Sequence, residues 1–192
     1  MTVAGLLLAA GAGARFGGPK ALVRFDGELL VERGQRLLRD GGCAPVVVVL
    51  GAEADRVVAY APDHVVAGDW AEGMGASLRA GLAALGDRDV DAVVVALADQ
   101  PGIGAGSVSL LRQAHAAGAV AAVATYAGKP RNPVLLSRSV WTQVMELAQG
   151  DTGARPWLRA HADRVVEVPC DLTGSPIDID TPADLAALEA RS

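Results

Sequence analysis

A glycine-rich segment near the start of the chain carries two cationic side chains. Residues 7–20 read LLAAGAGARFGGPK, so Arg15 and Lys20 are set among four glycines. Glycines let the backbone approach a ligand closely and expose N–H groups to phosphate oxygens, while guanidinium and ammonium groups add charged donors. The segment therefore predicts a loop around the phosphates of a nucleotide. A flexible turn with two solvated cations is the alternative.

Two better-known phosphate-binding motifs fit this segment less well. Gly11, Gly13 and Gly17 have a spacing close to a dinucleotide fingerprint. That motif needs a helix to begin inside it, and the glycines and proline at 17–19 interrupt any such helix. A Walker motif needs Lys and then Ser or Thr after its second glycine, but Pro19 stands in the Lys position. We therefore favour a long, open loop that wraps a triphosphate.

Two carboxylates stand at the ends of extended segments that are far apart in the sequence. Asp99 follows the apolar run 92–96, where an acidic residue faces a ligand crevice or serves as a turn residue. Asp178 and Asp180 alternate with isoleucines, which places both on one face of an extended segment. Thr181 is suited to cap the next helix, so helix capping accounts for the residues after Asp180 but not for Asp180 itself.

Asp99 and Asp180, together with the cationic loop, form a set suited to phosphoryl chemistry. Mg²⁺ prefers one or two carboxylates and completes its octahedron with phosphate oxygens and waters. We therefore predict a Mg²⁺ site at these two carboxylates, with a phosphorylated substrate beside it.

The elements that must position these residues alternate between strand and helix. Apolar, Val-rich runs predict buried strands, and shorter extended runs complete the sheet, at 3–8, 45–50, 63–66, 92–96, 120–126, 133–136 and 165–168. Amphipathic segments between them predict helices at 32–39, 54–60, 75–85, 107–117, 139–147, 154–162 and 183–190. The alternation predicts an α/β protein with three αβα layers and a mainly parallel, mixed sheet, in one domain over 1–192. Ligands bind at the carboxyl ends of such strands, where the candidate residues lie.

The composition of the 192 residues excludes several classes of protein. Hydrophobic residues make up 51% of the chain, and 17 basic against 22 acidic residues leave a net charge of −5. This balance argues against a nucleic-acid binder or an anionic-membrane binder. The chain has no long apolar span and no basic leader, so we expect a cytoplasmic protein. Cys43 and Cys170 are expected to be free thiols, and His115 and His161 to lie exposed on helices.

Taken together, these motifs resemble those of the MobA-like nucleotidyltransferases, and among them the molybdenum cofactor cytidylyltransferases. Six motifs in the same order carry the resemblance over nearly the whole chain: LAAG at 8–11, RFGGPK at 15–20, WAEGMGASL at 70–78, LADQP at 97–101, GDTGAR at 150–155 and DIDTP at 178–182. The resemblance implies a Rossmann-like nucleotidyltransferase fold and transfer of a nucleotidyl group with release of pyrophosphate.

The resemblance also implies a role for each motif. Arg15 and Lys20 would bind the triphosphate, and Asp99 and Asp180 would ligate Mg²⁺, so these four are the expected catalytic residues. The nucleotide would be held by a further set of residues: Leu8, Ala9, Ala10, Gly11, Gly13, Gly75 and Ser77. Ala10 stands where guanylyl-type members carry Gly, which favours CTP as the nucleotide.

The acceptor implied by the resemblance is a phosphorylated pterin of the molybdopterin type, with a molybdoenzyme or a chaperone as a further partner. Arg131 and Asn132 replace the Gly and His that the family usually has before a strand, so acceptor specificity is open here. Lys129 and Arg131 are still suited to contact a phosphate, and Asp151 and Arg155 are further candidates for this side. Two alternatives remain: an NAD(P)H-dependent oxidoreductase of the nicotine-blue type, and a non-catalytic chaperone that binds the cofactor.

Overall fold

A mixed sheet of seven strands forms the centre of the molecule, which is represented by a computed structural model describing residues 1–190. The strands of this part of the chain are β1 Val3–Leu8, β2 Arg24–Phe25, β3 Glu28–Leu29, β4 Val46–Leu50, β5 His64–Val66, β6 Ala92–Leu97, β7 Ala121–Tyr126, β8 Lys129–Ser137 and β9 Val165–Pro169. The sheet order is β5-β4-β1-β6-β8-β7-β9, and β8 runs antiparallel to both of its neighbours. The predicted mainly parallel, mixed sheet is therefore confirmed.

Helices cover both faces of this sheet. They are α1 Leu30–Asp40, α2 Ala54–Val57, α3 Met74–Gly86, α4 Ala105–Ala116, α5 Trp141–Leu147, α6 Arg155–Ala160 and α7 Pro182–Glu189. Successive strand side chains point to opposite faces, so Leu7 joins the core under α1 and α4, while Leu6 joins the core under α3, α5 and α6. These two cores produce the predicted three αβα layers.

A third, small core lies beside the sheet and was not predicted. Its buried members are Phe25, Leu30, Ile179 and Leu188, which come from the β2–β3 hairpin, the start of α1 and the C-terminal segment. The hairpin turns at Asp26 and Gly27, whose φ values of 50° and 82° are those of a type I′ turn. An Asp-Gly pair favours this turn, so the sequence did contain a signal for the hairpin.

Several boundaries differ from the predictions for local reasons. The strand predicted at 133–136 begins at Lys129, because 129–131 pair with the end of β7 as a hairpin. The helix predicted at 54–60 divides into α2 and a 3-10 turn at Val58–Tyr60. The prediction that His115 is exposed was wrong: it is buried, and its Nδ1 lies 2.9 Å from the carbonyl oxygen of Ala119. His161 is half-buried and stacks on Trp157, with ring centroids 4.5 Å apart.

Both cysteines are free and buried, as predicted. Among residues 1–190, no helix combines the length and the apolar character needed to cross a membrane.

Candidate functional site

The loops that follow β1 and β6 leave the sheet side by side. The two strands pair in parallel with Leu8 opposite Leu97, so the glycine-rich segment and Asp99 emerge at the same carboxyl edge. A cavity of about 330 Å³ lies there. Its lining includes five of the predicted nucleotide-holding residues, the predicted phosphate-binding lysine and one predicted metal ligand: Leu8, Ala9, Ala10, Gly11, Ser77, Lys20 and Asp99.

Asp180 is brought to this edge by the small third core. Its neighbour Ile179 is fully buried against the hairpin and α7, which anchors the extended segment. The backbone N–H of Ile179 also donates to the carbonyl oxygen of Asp99 at 2.8 Å. Immediately after Asp180, Thr181 and Asp184 form a reciprocal capping box that starts α7, as the sequence predicted for Thr181. Asp180 is therefore held between a buried residue and a fixed helix start.

Lys20 joins the two carboxylates. Its Nζ donates to Asp99 Oδ2 at 3.0 Å and to Asp180 Oδ1 at 2.6 Å. Burial alone would lower the pKa of Lys20, but the hydrogen bonds and charges of the two aspartates outweigh burial and raise it. Burial raises the pKa of Asp99. The charge and hydrogen bond of Lys20 lower this pKa, and the negative charges of Asp178 and Asp180 raise it, so that the net shift is upward. We take the ion pair as the neutral-pH state, because both hydrogen bonds have the geometry of an ammonium between carboxylates.

These residues fit a divalent cation. One oxygen of Asp99 and one oxygen of Asp180 contact the same positively charged atom, Lys20 Nζ. The two carboxylates therefore converge on one point, as the ligands of a single cation must. Mg²⁺ uses such a pair together with phosphate oxygens and waters. Within residues 1–190, no cluster of three or more His, Cys, Asp or Glu side chains is arranged to hold a metal ion.

The other predicted nucleotide-site residues lie outside the cavity lining. Gly13 adopts a left-handed conformation with φ 59°, and a side chain there would collide with the carbonyl oxygen of Gly18, so it shapes the loop. Gly75 is buried in the first turn of α3, where a Cβ would lie 2.7 Å from the backbone of Ala148. Arg15 is exposed on the 3-10 turn after Gly13. The structure thus brings Lys20, Asp99, Asp180 and Ser77 together, and it places Gly13, Arg15 and Gly75 around them.

A second, larger cavity of about 810 Å³ continues from the first, and Asp99 and Asp151 line both. Arg131 extends into its lining from β8, and Arg155 and Arg159 from α6. In the described part of the chain, none of these three exposed arginines makes a hydrogen bond or a salt bridge. The candidates Asn132 and Asp151 also line this cavity.

Sequence reasoning missed two residues of this region. Arg159 lies four positions after Arg155 on the predicted helix, and two like charges at this spacing on one helix face were a usable signal. Gln100 is buried beside Asp99, and its Nε2 donates to Asp178 Oδ1 at 2.8 Å. Gln100 belongs to the LADQP motif at 97–101, but the sequence gives no sign of its contact with Asp178, which is 78 residues away.

Known proteins share this architecture and much of this sequence. The model of the MobA-like NTP transferase domain matches residues 5–165. A nicotine blue oxidoreductase of Paenarthrobacter nicotinovorans is 38% identical in an alignment of 190 residues that covers 93% of this chain and 92% of that protein. A protein of Opitutus terrae, named "Probable molybdenum cofactor guanylyltransferase", is 33% identical over 175 residues. The alignment covers 87% of this chain and 85% of that protein.

Solved structures agree with these relatives. The crystal structure of Rv0371c from Mycobacterium tuberculosis H37Rv is 28% identical, with a TM-score of 0.83 and coverage of 99% of this chain and 98% of that one. A complex of Rv0371c with manganese has a TM-score of 0.83 at 25% identity and covers 100% of both chains. With a family match over most of its length and two relatives above 30% identity, the chain belongs to the MobA-like NTP transferase family.

Proposed function

We propose that this protein is a metal-dependent nucleotidyltransferase that transfers CMP from CTP to a phosphorylated pterin of the molybdopterin type. The observation that carries the proposal is the meeting of Asp99 and Asp180 beside the cavity formed by the glycine-rich segment. Two relatives support it: one bears the name of a molybdenum cofactor guanylyltransferase, and the structure of another contains manganese. A molybdoenzyme or a chaperone would receive the product.

The first cavity is the proposed nucleotide site. The backbone of residues 8–11 would hold the base and the ribose, with Ser77 opposite. Gly13 would set the curvature of the loop, and Gly75 would let α3 approach the 148–149 backbone closely enough to place Ser77. Ala10 makes CTP the preferred nucleotide in this proposal. Arg15, which is exposed on the loop, would reach the triphosphate from outside the cavity.

The proposed reaction is an in-line displacement at the α-phosphorus of CTP. An oxygen of the acceptor phosphate forms the new P–O bond, the bond from the α-phosphorus to the α,β-bridging oxygen breaks, and pyrophosphate leaves with the electron pair. A divalent cation held by Asp99 and Asp180 would neutralise phosphate charge. Lys20 and Arg15 would stabilise the negative charge that develops on the leaving pyrophosphate. The protein's contribution is therefore positioning and electrostatics.

The second cavity is the proposed acceptor site. Its three arginines have no protein partner among the described residues, and the two on α6 repel each other at i,i+4 spacing. A phosphate group bound there would remove that repulsion and gain charge-assisted hydrogen bonds. Because Asp99 lines both cavities, an acceptor in the second would lie beside a nucleotide in the first.

A second candidate function is an NAD(P)H-dependent oxidoreductase, favoured by the 38% identity to a nicotine blue oxidoreductase. A thermal-shift panel of CTP, GTP, ATP and NADPH, each with and without Mg²⁺, separates the two functions because a bound ligand stabilises the folded state. We expect stabilisation by CTP in the presence of Mg²⁺. Stabilisation by NADPH without metal, with no effect of CTP, would establish the reductase instead.

The same proposal is tested by catalysis. Asp99→Asn should lower CTP-dependent pyrophosphate release by orders of magnitude, whereas Asp89→Asn, at an exposed position outside both cavities, should leave the rate unchanged. Equal rates in the two variants would remove the proposed metal role of Asp99. Pterin binding by the unmodified protein without any pyrophosphate release would indicate the non-catalytic chaperone.

A further inference from the structure

The side chain of Gln100 is a buried amide of which only the NH₂ group forms a hydrogen bond within residues 1–190. Only 4% of the residue is exposed, and its Nε2 donates to Asp178 Oδ1 at 2.8 Å. Its Oε1 is also buried and has no hydrogen-bond partner among residues 1–190. Rotating the amide would not satisfy both groups, because the carboxylate of Asp178 can only accept and therefore requires the NH₂ group to face it. The bond to Asp178 thus leaves a carbonyl unsatisfied, which costs stability.

The bond crosses between the two segments that carry the proposed metal ligands. Gln100 directly follows Asp99, and Asp178 precedes Asp180 by two residues. A second link runs in parallel, from the backbone N–H of Ile179 to the carbonyl oxygen of Asp99 at 2.8 Å. One side-chain hydrogen bond and one backbone hydrogen bond therefore join the segment that carries Asp99 to the segment that carries Asp180.

Electrostatics opposes this arrangement. Burial is the main cause of the raised pKa of Asp99, and the negative charges of Asp178 and Asp180 raise it further, so both of these carboxylates lie close enough to repel that of Asp99. The positive charge of Lys20 offsets the repulsion between Asp99 and Asp180, because Lys20 forms a salt bridge with each of them. On the other side, the carboxylate of Asp178 is held by the neutral amide of Gln100. Without that bond, repulsion would favour movement of the 177–180 segment away from Asp99.

We propose that Gln100 is a positioning residue, which holds Asp178 so that Asp180 stays beside Asp99 at the cation position. This inference rests on the proposed metal site, and it assigns the functional reason for burying an amide with an unsatisfied carbonyl. The role is geometric: an oxygen acceptor at position 178 is required, and its charge is not.

The test is Mn²⁺ binding, followed by electron paramagnetic resonance, to the full chain and five variants. Gln100→Met keeps the length of the side chain and removes the hydrogen bond to Asp178. Asp178→Ala removes the same hydrogen bond by a change at the exposed partner instead of the buried one. Asp178→Asn keeps a side-chain oxygen that can accept from Gln100. Gln113→Met, at an exposed position on α4, is the matched control. The double variant Gln100→Met with Asp178→Ala measures coupling.

We expect about a tenfold loss of Mn²⁺ affinity in Gln100→Met and in Asp178→Ala, and no further loss in the double variant, because each removes the same bond. Asp178→Asn and the control should bind like the unmodified protein. Thermal midpoints should be unchanged or higher in Gln100→Met, since the unsatisfied carbonyl is gone.

Each other result overturns the inference in a distinguishable way. Unchanged affinity in Gln100→Met or, if that variant does not fold, in Asp178→Ala would show that the bond does not position Asp180. Equal losses in Asp178→Asn and Asp178→Ala would show that the charge at 178 acts by itself. If the unmodified protein does not bind Mn²⁺, the proposed metal site fails as well, and there is no cation position for Gln100 to maintain.

Discussion

Lys20 occupies the position at which a divalent cation would meet Asp99 and Asp180, so the two cations must compete. The ammonium lies 3.0 Å from one carboxylate and 2.6 Å from the other. Replacing Lys20 by Met keeps much of the apolar stem and removes the charge. We expect this variant to be less stable than the unmodified protein without metal, and to bind Mn²⁺ more tightly.

The size of the stability loss follows from exposure. The Lys20 and Asp99 side chains are only 19% and 27% exposed, so the hydrogen bond between them should contribute about 2 kcal/mol, as charged hydrogen bonds do. The Asp180 side chain is 54% exposed, and its bond should add at most about 1 kcal/mol. A total of about 2–3 kcal/mol corresponds to a fall of roughly 5–10 °C in the midpoint for a chain of this size.

Metal should reverse this loss. A ligand at a hundred times its dissociation constant stabilises a folded protein by about 2.7 kcal/mol, so saturating Mn²⁺ should return the variant to about the midpoint of the metal-free unmodified protein. The unmodified protein should gain less from the same concentration, because the cation must first displace the ammonium. Transfer activity should still fall by two or more orders of magnitude, since Lys20 is proposed to stabilise the leaving pyrophosphate.

The assay is thermal unfolding over a Mn²⁺ titration, with Lys129→Met as the control. Lys129 is exposed at the start of β8 and lines neither cavity, so its loss should not change the midpoint or the response to metal. Equal stability of Lys20→Met and the unmodified protein without metal would refute the energetic argument. Equal stabilisation of both by Mn²⁺ would refute the competition.

Three further predictions concern the surroundings of the site. Hydrogen bonds from Arg36 lower the pKa of Glu28, so this carboxylate stabilises the fold above its ordinary pKa of 4.5, and the contribution disappears as the pH falls. Glu28→Gln should therefore cost up to about 1 kcal/mol in urea unfolding at neutral pH and progressively less as the pH falls below 4.5; an equal cost at neutral and acidic pH would contradict this. Gly75→Ala should lose about 1–3 kcal/mol and weaken CTP binding because its Cβ would meet the Ala148 backbone, whereas Gly86→Ala has open space and should lose no stability. Arg131→Gln should raise the KM for a phosphorylated acceptor about 10- to 100-fold at an unchanged KM for CTP, and a rise in both would refute a separate acceptor site.

Much of the fold follows from local patterns. The Val-rich runs of β4 and β6 predicted buried strands, which the structure confirms, and each named strand was predicted within a few residues except the β2–β3 hairpin. That hairpin was missed because strands of two residues have too few side chains to show an alternating pattern, although the Asp-Gly turn was visible. The Thr181 cap was also predictable, since a capping box involves only neighbouring residues.

The sequence alone determined which residue types could form the site, and at which edge of the sheet the loops after β1 and β6 would lie. Strand ends in a parallel sheet share one edge, so Lys20 and Asp99 were expected near each other before any contact was known. Asp180 follows no strand of the sheet, and only the third core brings it to this edge. Only the tertiary structure decided how they meet, with the ammonium of Lys20 between two carboxylates. It also decided that Gly75 contacts backbone and that Gln100 holds Asp178. These contacts join residues that are some 70 to 160 positions apart, and no local propensity encodes a distance across the chain.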